Sequence, residues 1–103
     1  MIGRAQLARM PDGAVLINTA RGRIVDQRAL VEELRGGRIE AILDVTDPEV
    51  LDPTHELYDL PNVFLTPHIA GSTGFELRRM GRQIGAELAR ITRGEPLAFP
   101  EAL

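Results

Sequence analysis

The sequence predicts the α/β class, with a parallel sheet of about three strands and flanking helices. Three apolar runs are the main observation, and they cover residues 14–18, 39–45 and 63–65. The runs do not alternate between apolar and polar residues, which is typical of strands covered on both faces. The predicted order is helix, strand, helix, strand, loop, strand and helix. Strands that alternate with helices pair in parallel through right-handed crossovers.

The first half of the chain is predicted to hold two helices around the first strand. Residues 3–10 form a short helix that ends at a Pro-Asp-Gly turn. After the first strand, Asp26 is a good N-cap for the second helix. Val25 and Leu30 occupy the N′ and N4 positions of a hydrophobic staple. A Gly-Gly pair at 36–37 ends this helix.

The second half begins with a proline-containing loop at residues 46–61, because proline interrupts regular elements. After the third strand, Thr73 and Glu76 have the spacing of a capping box at the start of a long helix. Apolar residues follow three and four positions apart, as on one face of a helix: Leu77, Met80, Ile84, Leu88 and Ile91. Gly94 ends this helix, and residues 95–103 are predicted to be an irregular tail.

Composition narrows the class of protein. A chain of 103 residues has room for one domain, and an apolar content of 44% allows a core. The net charge of −3 predicts neither nucleic-acid nor anionic-membrane binding. The absence of cysteine excludes disulfides and thiolate chemistry. No run reaches the roughly 18 apolar residues of a membrane span, and the N-terminus lacks a signal-peptide core, so we expect a cytoplasmic protein.

Polar side chains follow each of the three predicted strands. Arg21 follows the first strand, Asp44 lies at the end of the second with Glu49 after it, and His68 follows the third. Because the carboxyl ends of parallel strands meet at one edge of a sheet, where ligands bind, these side chains form one candidate site. Two distant histidines and no cysteine offer no metal-ligand spacing, so no metal site is predicted.

His68 is the candidate acid and base. Oxidation or reduction at a carbinol carbon requires a proton to leave or reach its oxygen, and imidazole titrates near neutral pH. Pro67 fixes the preceding turn, and Gly71 permits close approach of the backbone. A structural histidine is the alternative interpretation.

Glu49 and Arg21 are the other two candidate catalytic residues. Glu49 would orient the imidazole and stabilise its protonated form, although Asp47 has the same chemistry and a solvated loop carboxylate is the alternative. Arg21 would hold a substrate carboxylate and polarise its carbonyl, with Gly22 letting the backbone approach a ligand, or it is a surface charge. Asp44 needs partners if buried, and it either caps a local turn or accepts from a carboxamide.

Together the segments 10–22, 41–49 and 60–72 resemble the D-isomer-specific 2-hydroxyacid dehydrogenases, in the C-terminal half of their NAD-binding domain. The segments match the strand-and-Arg, the Asp…Glu and the His motifs of that family in order and spacing. The match covers nearly the whole chain. Val50 and Tyr58 depart from it, because the family commonly has Pro and often Trp there. Neither departure removes a functional group.

The resemblance implies a partial Rossmann-type sheet and a role for each matching residue. Arg21 would bind substrate, and Glu49 with His68 would form the proton-transfer pair. NAD would be the cofactor, with NADP also possible. The implied cofactor-binding residues are those at the strand ends: Thr19, Ala20, Arg21, Asp44, His68, Ala70 and Gly71. The substrate of the intact enzyme would be a small 2-keto or 2-hydroxy acid.

The resemblance also implies a fragment. Residues 1–94 would be half of a dinucleotide-binding domain, and residues 95–103 would return toward a substrate domain that is missing here. No glycine-rich pyrophosphate loop is present, so we expect the 103-residue chain alone to be inactive. The alternative is a non-catalytic remnant or a self-associating structural module. In either case the chain is predicted to form homo-oligomers.

Overall fold

A computed structural model describes residues 1–100 of the chain. Its helices and strands, named in chain order, are α1 (Arg4–Leu7), β1 (Val15–Asn18), α2 (Gln27–Arg35), β2 (Glu40–Leu43), β3 (Val63–Leu65) and α3 (Phe75–Thr92). Two single-turn 3₁₀ segments, Gly22–Ile24 and Glu56–Tyr58, lie in the connections.

The chain forms two compact units. The first covers Met1–Gly71 and holds the whole sheet, and the second begins at Ser72 and holds α3. The assignment of residues 1–94 to half of a dinucleotide-binding domain stays a prediction. The predicted tail lies within the second unit as far as residue 100, and its last three residues lie outside the described part.

The sheet has three parallel strands in the order β1-β2-β3. Ile17 pairs with Ile42, which pairs with Phe64, so the strands are in register across the sheet. The three carboxyl ends consequently lie at one edge. The predicted class, a partial Rossmann-type α/β fold with flanking helices, is confirmed.

Only one face of the sheet is covered in the first unit. The core on that face contains Ala41 and Leu43 from β2 together with fully buried side chains outside the strands: Leu7, Leu30, Leu34, Ile39 and Leu57. On the opposite face, Ile17 and Phe64 each expose 62% of their surface. The first unit alone therefore covers the strands on one face, and the prediction that both faces are covered is not met within it.

α2 has the predicted boundaries. The Asp26 carboxylate accepts a hydrogen bond from the backbone N–H of Ala29 at 3.1 Å, which satisfies one of the free donors at the start of the helix. Val25 and Leu30 are both buried. Gly37, with a φ of 67°, follows the C-cap in the left-handed region that glycine tolerates.

α3 begins differently from the prediction. Its N-cap is Gly74, with a φ of 59° and no side-chain capping bond, so the capping box predicted from Thr73 and Glu76 is wrong. The helix starts at Phe75, which puts Glu76 one position too early to reach back to the cap. Among residues 1–100, no helix combines the length and the apolar character needed to cross a bilayer.

Candidate active site

Three loops leave the carboxyl edge of the sheet side by side. The backbone N–H of Asp44 donates to the carbonyl of Asn18 at 3.0 Å, which joins the first two loops where they start. The N–H of Thr66 donates to the carbonyl of Leu43 at 3.0 Å, which joins the second and third. All the candidate site residues lie in these loops, within the first unit.

The loop after β1 is shaped by Asn18, which was not among the residues predicted from the sequence to form the site. Its side chain is buried; it accepts from the N–H of Ala20 at 3.1 Å and donates to the carbonyl of Arg21 at 3.0 Å. This is a side-chain-closed turn of the kind that Asn favours. An Asn at the end of an apolar strand was the signal available in the sequence.

Arg21 is exposed at the end of this turn. Its guanidinium donates to the carbonyl of Ala20 at 2.6 Å and forms no ion pair within residues 1–100. The structure therefore places Arg21 on the predicted edge without bringing it into contact with Glu49 or His68. A guanidinium without a carboxylate partner remains able to bind an anion.

Gly22 fits between two loops. A Cβ atom on Gly22 would lie 2.0 Å from the backbone oxygen of Thr46 and 2.7 Å from the nitrogen of Asp47. The close approach that glycine permits here is thus to the neighbouring backbone and not, as predicted from the sequence, to a ligand.

The loop after β2 is held at both ends of a short turn. The Gln27 side chain accepts from the N–H of Asp47 at 2.9 Å, which ties the loop to the start of α2. The Thr46 hydroxyl donates to the carbonyls of Pro48, at 2.8 Å, and Glu49, at 3.1 Å. Glu49 consequently leaves the sheet from a constrained backbone.

Asp44 is buried and holds the loop after β3. Its carboxylate accepts from the Thr66 hydroxyl, from the N–H of Ile69 at 2.8 Å and from the N–H of Ala70 at 2.9 Å. Burial by itself would raise the pKa of Asp44, but these hydrogen bonds outweigh it and hold the pKa below its ordinary value. These contacts are those of a turn cap, which is one of the two interpretations that the sequence left open; the other, acceptance from a carboxamide, stays a prediction.

His68 and Glu49 meet across the edge of the sheet. The Nδ1 atom of His68 forms a hydrogen bond with Oε1 of Glu49, and both side chains remain partly exposed, at 43% and 54%. His68 has a positive φ of 55°, and its N–H donates to the carbonyl of Thr66 at 3.0 Å. The structure thus brings together two of the three predicted catalytic side chains.

A cavity of about 190 Å³ lies beside this pair, between the loops after β2 and β3. The small residues assigned to the cofactor, Thr19, Ala20, Ala70 and Gly71, are all exposed at the same edge. A Cβ atom on Gly71 would meet nothing within 4 Å, so there is open space next to the backbone. This edge therefore has room for a ligand beside His68. Within residues 1–100, no three His, Cys, Asp or Glu side chains are grouped as a metal site would require.

Comparisons with known proteins agree with this geometry. The model of the family described as D-isomer specific 2-hydroxyacid dehydrogenase, NAD binding domain, matches residues 1–70. The chain is 39% identical over 98 residues to D-3-phosphoglycerate dehydrogenase of Archaeoglobus fulgidus, covering 94% of this chain and 19% of that protein. It is 43% identical over 96 residues to glyoxylate reductase of Korarchaeum cryptofilum, covering 92% of this chain and 29% of that protein.

A solved structure is similar in three dimensions as well. The D-isomer specific 2-hydroxyacid dehydrogenase of Xanthobacter autotrophicus Py2, crystallised with NADPH and MES, superposes with a TM-score of 0.77. The identity is 42%, and the match covers 92% of this chain and 39% of that one. This chain spans less than half the length of each of these three proteins. It belongs to the D-isomer specific 2-hydroxyacid dehydrogenase family, and the part that it contains is from the NAD-binding domain.

Proposed function

We propose that this chain supplies the proton-transfer and substrate-binding residues of an NAD(P)-dependent oxidoreductase that interconverts a 2-keto acid and a D-2-hydroxy acid. The observation that carries the proposal is the hydrogen bond between His68 and Glu49 beside a cavity at the carboxyl edge of the sheet. Family membership supports the reaction class.

His68 acts as the acid and base. Because Nδ1 is engaged by Glu49, Nε2 is the ring nitrogen that gives a proton to the carbonyl oxygen in reduction and takes it back in oxidation. Glu49 fixes the orientation of the ring and stabilises the imidazolium. NAD(P), when bound, supplies or accepts the hydride at the carbon.

Arg21 binds the carboxylate of the substrate. Its guanidinium is exposed on the same edge, and within residues 1–100 its one partner is the neighbouring carbonyl of Ala20. Charge-assisted hydrogen bonds to a carboxylate are stronger than that contact, so a substrate displaces it. A second N–H of the same guanidinium, directed at the keto oxygen of the substrate, would polarise that carbonyl.

The cofactor lies against small and backbone groups at the strand ends: Thr19, Ala20, Ala70 and Gly71. Asp44 is the proposed acceptor for a carboxamide N–H, since among the described residues its Oδ2 atom receives one hydrogen bond, from Ala70. NAD and NADP both satisfy these contacts. We expect a polypeptide of these 103 residues alone to be inactive, because it contains no glycine-rich loop to hold the pyrophosphate.

The test is a chimaera in which this chain replaces the matching segment of the Korarchaeum cryptofilum glyoxylate reductase. His68→Ala should lower kcat by about 10²- to 10⁴-fold, the usual contribution of a positioned acid or base. Arg21→Ala should raise KM for the keto acid as well as lower kcat. His55→Ala is the matched control, because that ring caps the N–H of Leu57 and does not line the cavity beside His68. Near-normal turnover by the His68 variant would remove the assignment.

A structural, self-associating module is the second candidate function. The observation in its favour is the open apolar face of the sheet, where Ile17, Ile42 and Phe64 form one exposed row. This surface predicts homo-oligomers, which are also compatible with the enzymatic proposal.

A further inference from the structure

The turn that carries His68 is closed on a single buried carboxylate. Three donors reach Asp44, and they flank His68 in sequence: the Thr66 hydroxyl before it and the N–H groups of Ile69 and Ala70 after it. The acceptor is fixed in turn, since Asp44 is 2% exposed and its own N–H bonds to β1. Asp44 therefore links the turn that carries His68 to the sheet, and this link fixes the position of His68.

His68 needs such support. Its φ of 55° lies in the left-handed region, which residues with a side chain seldom adopt and keep only when their surroundings hold them there. The side chain itself is partly exposed, so packing does not hold it. Beside the bond from its own N–H to Thr66 and the bond from its ring to Glu49, the flanking hydrogen bonds to Asp44 supply the restraint.

We propose that Thr66 is a positioning residue: its hydroxyl, bound to Asp44, keeps the 66–70 turn closed and so aligns the His68 imidazole on Glu49. The proposal rests on the proposed function for the role of the pair, but the alignment itself is independent of the reaction. Thr66 provides the side-chain donor among the three, which makes it the one that a substitution can remove.

Nuclear magnetic resonance of the 103-residue chain tests the proposal without cofactor or substrate. A positive φ brings the amide and α protons of one residue together, so wild-type His68 should show a strong intraresidue NOE. Thr66→Val keeps the branched shape and removes the donor. It should weaken this NOE and raise amide exchange at Ile69 and Ala70 by about tenfold, the effect of weakening one charge-assisted hydrogen bond.

Two further variants serve as controls. Thr66→Ser retains the hydroxyl and should restore the wild-type NOE and exchange rates. Thr54→Val removes an equivalent bond from Thr54 to Asp52, at 2.6 Å, in a loop that does not carry His68, and it should leave both readouts unchanged. In the chimaera, Thr66→Val should lower kcat with little change in KM, and Thr66→Ser should regain the activity.

The outcomes separate the two proposals. If Thr66→Val gives the same spectra as wild type, the hydroxyl does not position His68 and the inference is overturned. Failure of Thr66→Ser to restore the wild-type spectra overturns it as well. If Thr66→Val does not fold, Thr66→Ala replaces it, and failure of both shows a role in global folding, which also overturns the inference. Suppose that Thr66→Val and Thr66→Ser change the spectra as expected but the His68→Ala chimaera keeps its activity. That result would remove the proposed function and leave this inference standing.

Discussion

Asp44 is the residue on which the site is organised. It is the one buried charged side chain among residues 1–100, and it stays ionised because three donors replace the water that burial removed. A carboxylate at the end of a strand can organise two loops at once, since it belongs to the loop after β2 and accepts from the loop after β3. The acid and base role proposed for His68 thus depends on a side chain that need not touch substrate.

The pKa of Asp44 leads to a prediction for stability at low pH. Because the folded-state pKa lies below its ordinary value of 3.8, the folded chain favours the ionised form more than the unfolded chain does. This stabilisation is complete above pH 3.8 and is lost as the pH falls through the lower folded value. Asp44→Asn should therefore destabilise the chain at pH 7, and the difference from wild type should shrink below pH 4.

Urea denaturation followed by circular dichroism between pH 7 and pH 2.5 measures this difference. Asp59→Asn is the matched control, since the exposed Asp59 side chain accepts no hydrogen bond within the described residues. If the urea midpoint of Asp44→Asn differs from that of wild type by the same amount at every pH, the folded chain does not hold the carboxylate in its charged form.

At the scale of elements, the loops after β1 and β2 are interlocked by Gly22. Gly22→Ala places a Cβ atom 2.0 Å from the backbone oxygen of Thr46. The nearest atoms, in Thr46 and Asp47, all belong to the backbone, so no flexible side chain can move aside. The loops must move apart, which should cost about 1–3 kcal/mol of unfolding free energy, as overpacking usually does. In the chimaera the same shift should lower kcat/KM, because it moves Arg21 relative to Glu49.

Gly71→Ala provides the comparison for stability. The added Cβ meets nothing within 4 Å, and the residue does not have a positive φ, so its unfolding free energy should stay close to wild type. Equal stability of the Gly22 and Gly71 variants in urea would mean that the contact between the two loops is not tight in solution.

The elements also show what sequence reasoning can reach. The boundaries of α2 were predictable because Asp26, Val25, Leu30 and the following glycines all act within a few residues of the helix end. The pairing of His68 with Glu49 was foreseen from the parallel sheet and the family resemblance.

The Gly22 contact with Thr46 was not predicted, because it joins residues 24 apart whose approach no local pattern encodes. The failed capping box at Thr73 shows that spacing alone does not fix a helix start.

For the molecule as a whole, the sheet presents an apolar face that the first unit does not cover. Ile17, Ile42 and Phe64 are register partners across the three strands and expose 62%, 37% and 62% of their surface. β1 and β3 are both edges of this sheet, and edge strands with apolar neighbours favour pairing between chains. We therefore expect the 103-residue chain to self-associate in a concentration-dependent manner.

Phe64→Ser tests this expectation on the face itself. Phe64 is exposed in the first unit, so the substitution leaves the core intact, in contrast to Leu65 beside it, which packs against the core. Burying a phenylalanine contributes about 1.5–3 kcal/mol, so its loss should weaken association by about tenfold or more. Light scattering across a concentration series measures the change.

Val50→Ser is the control and should associate as wild type does. Val50 is 83% exposed, but it lies beside Glu49 and away from the strands. A wild-type chain that stays monomeric at high concentration would contradict self-association, and an unaltered Phe64 variant would move it to another surface.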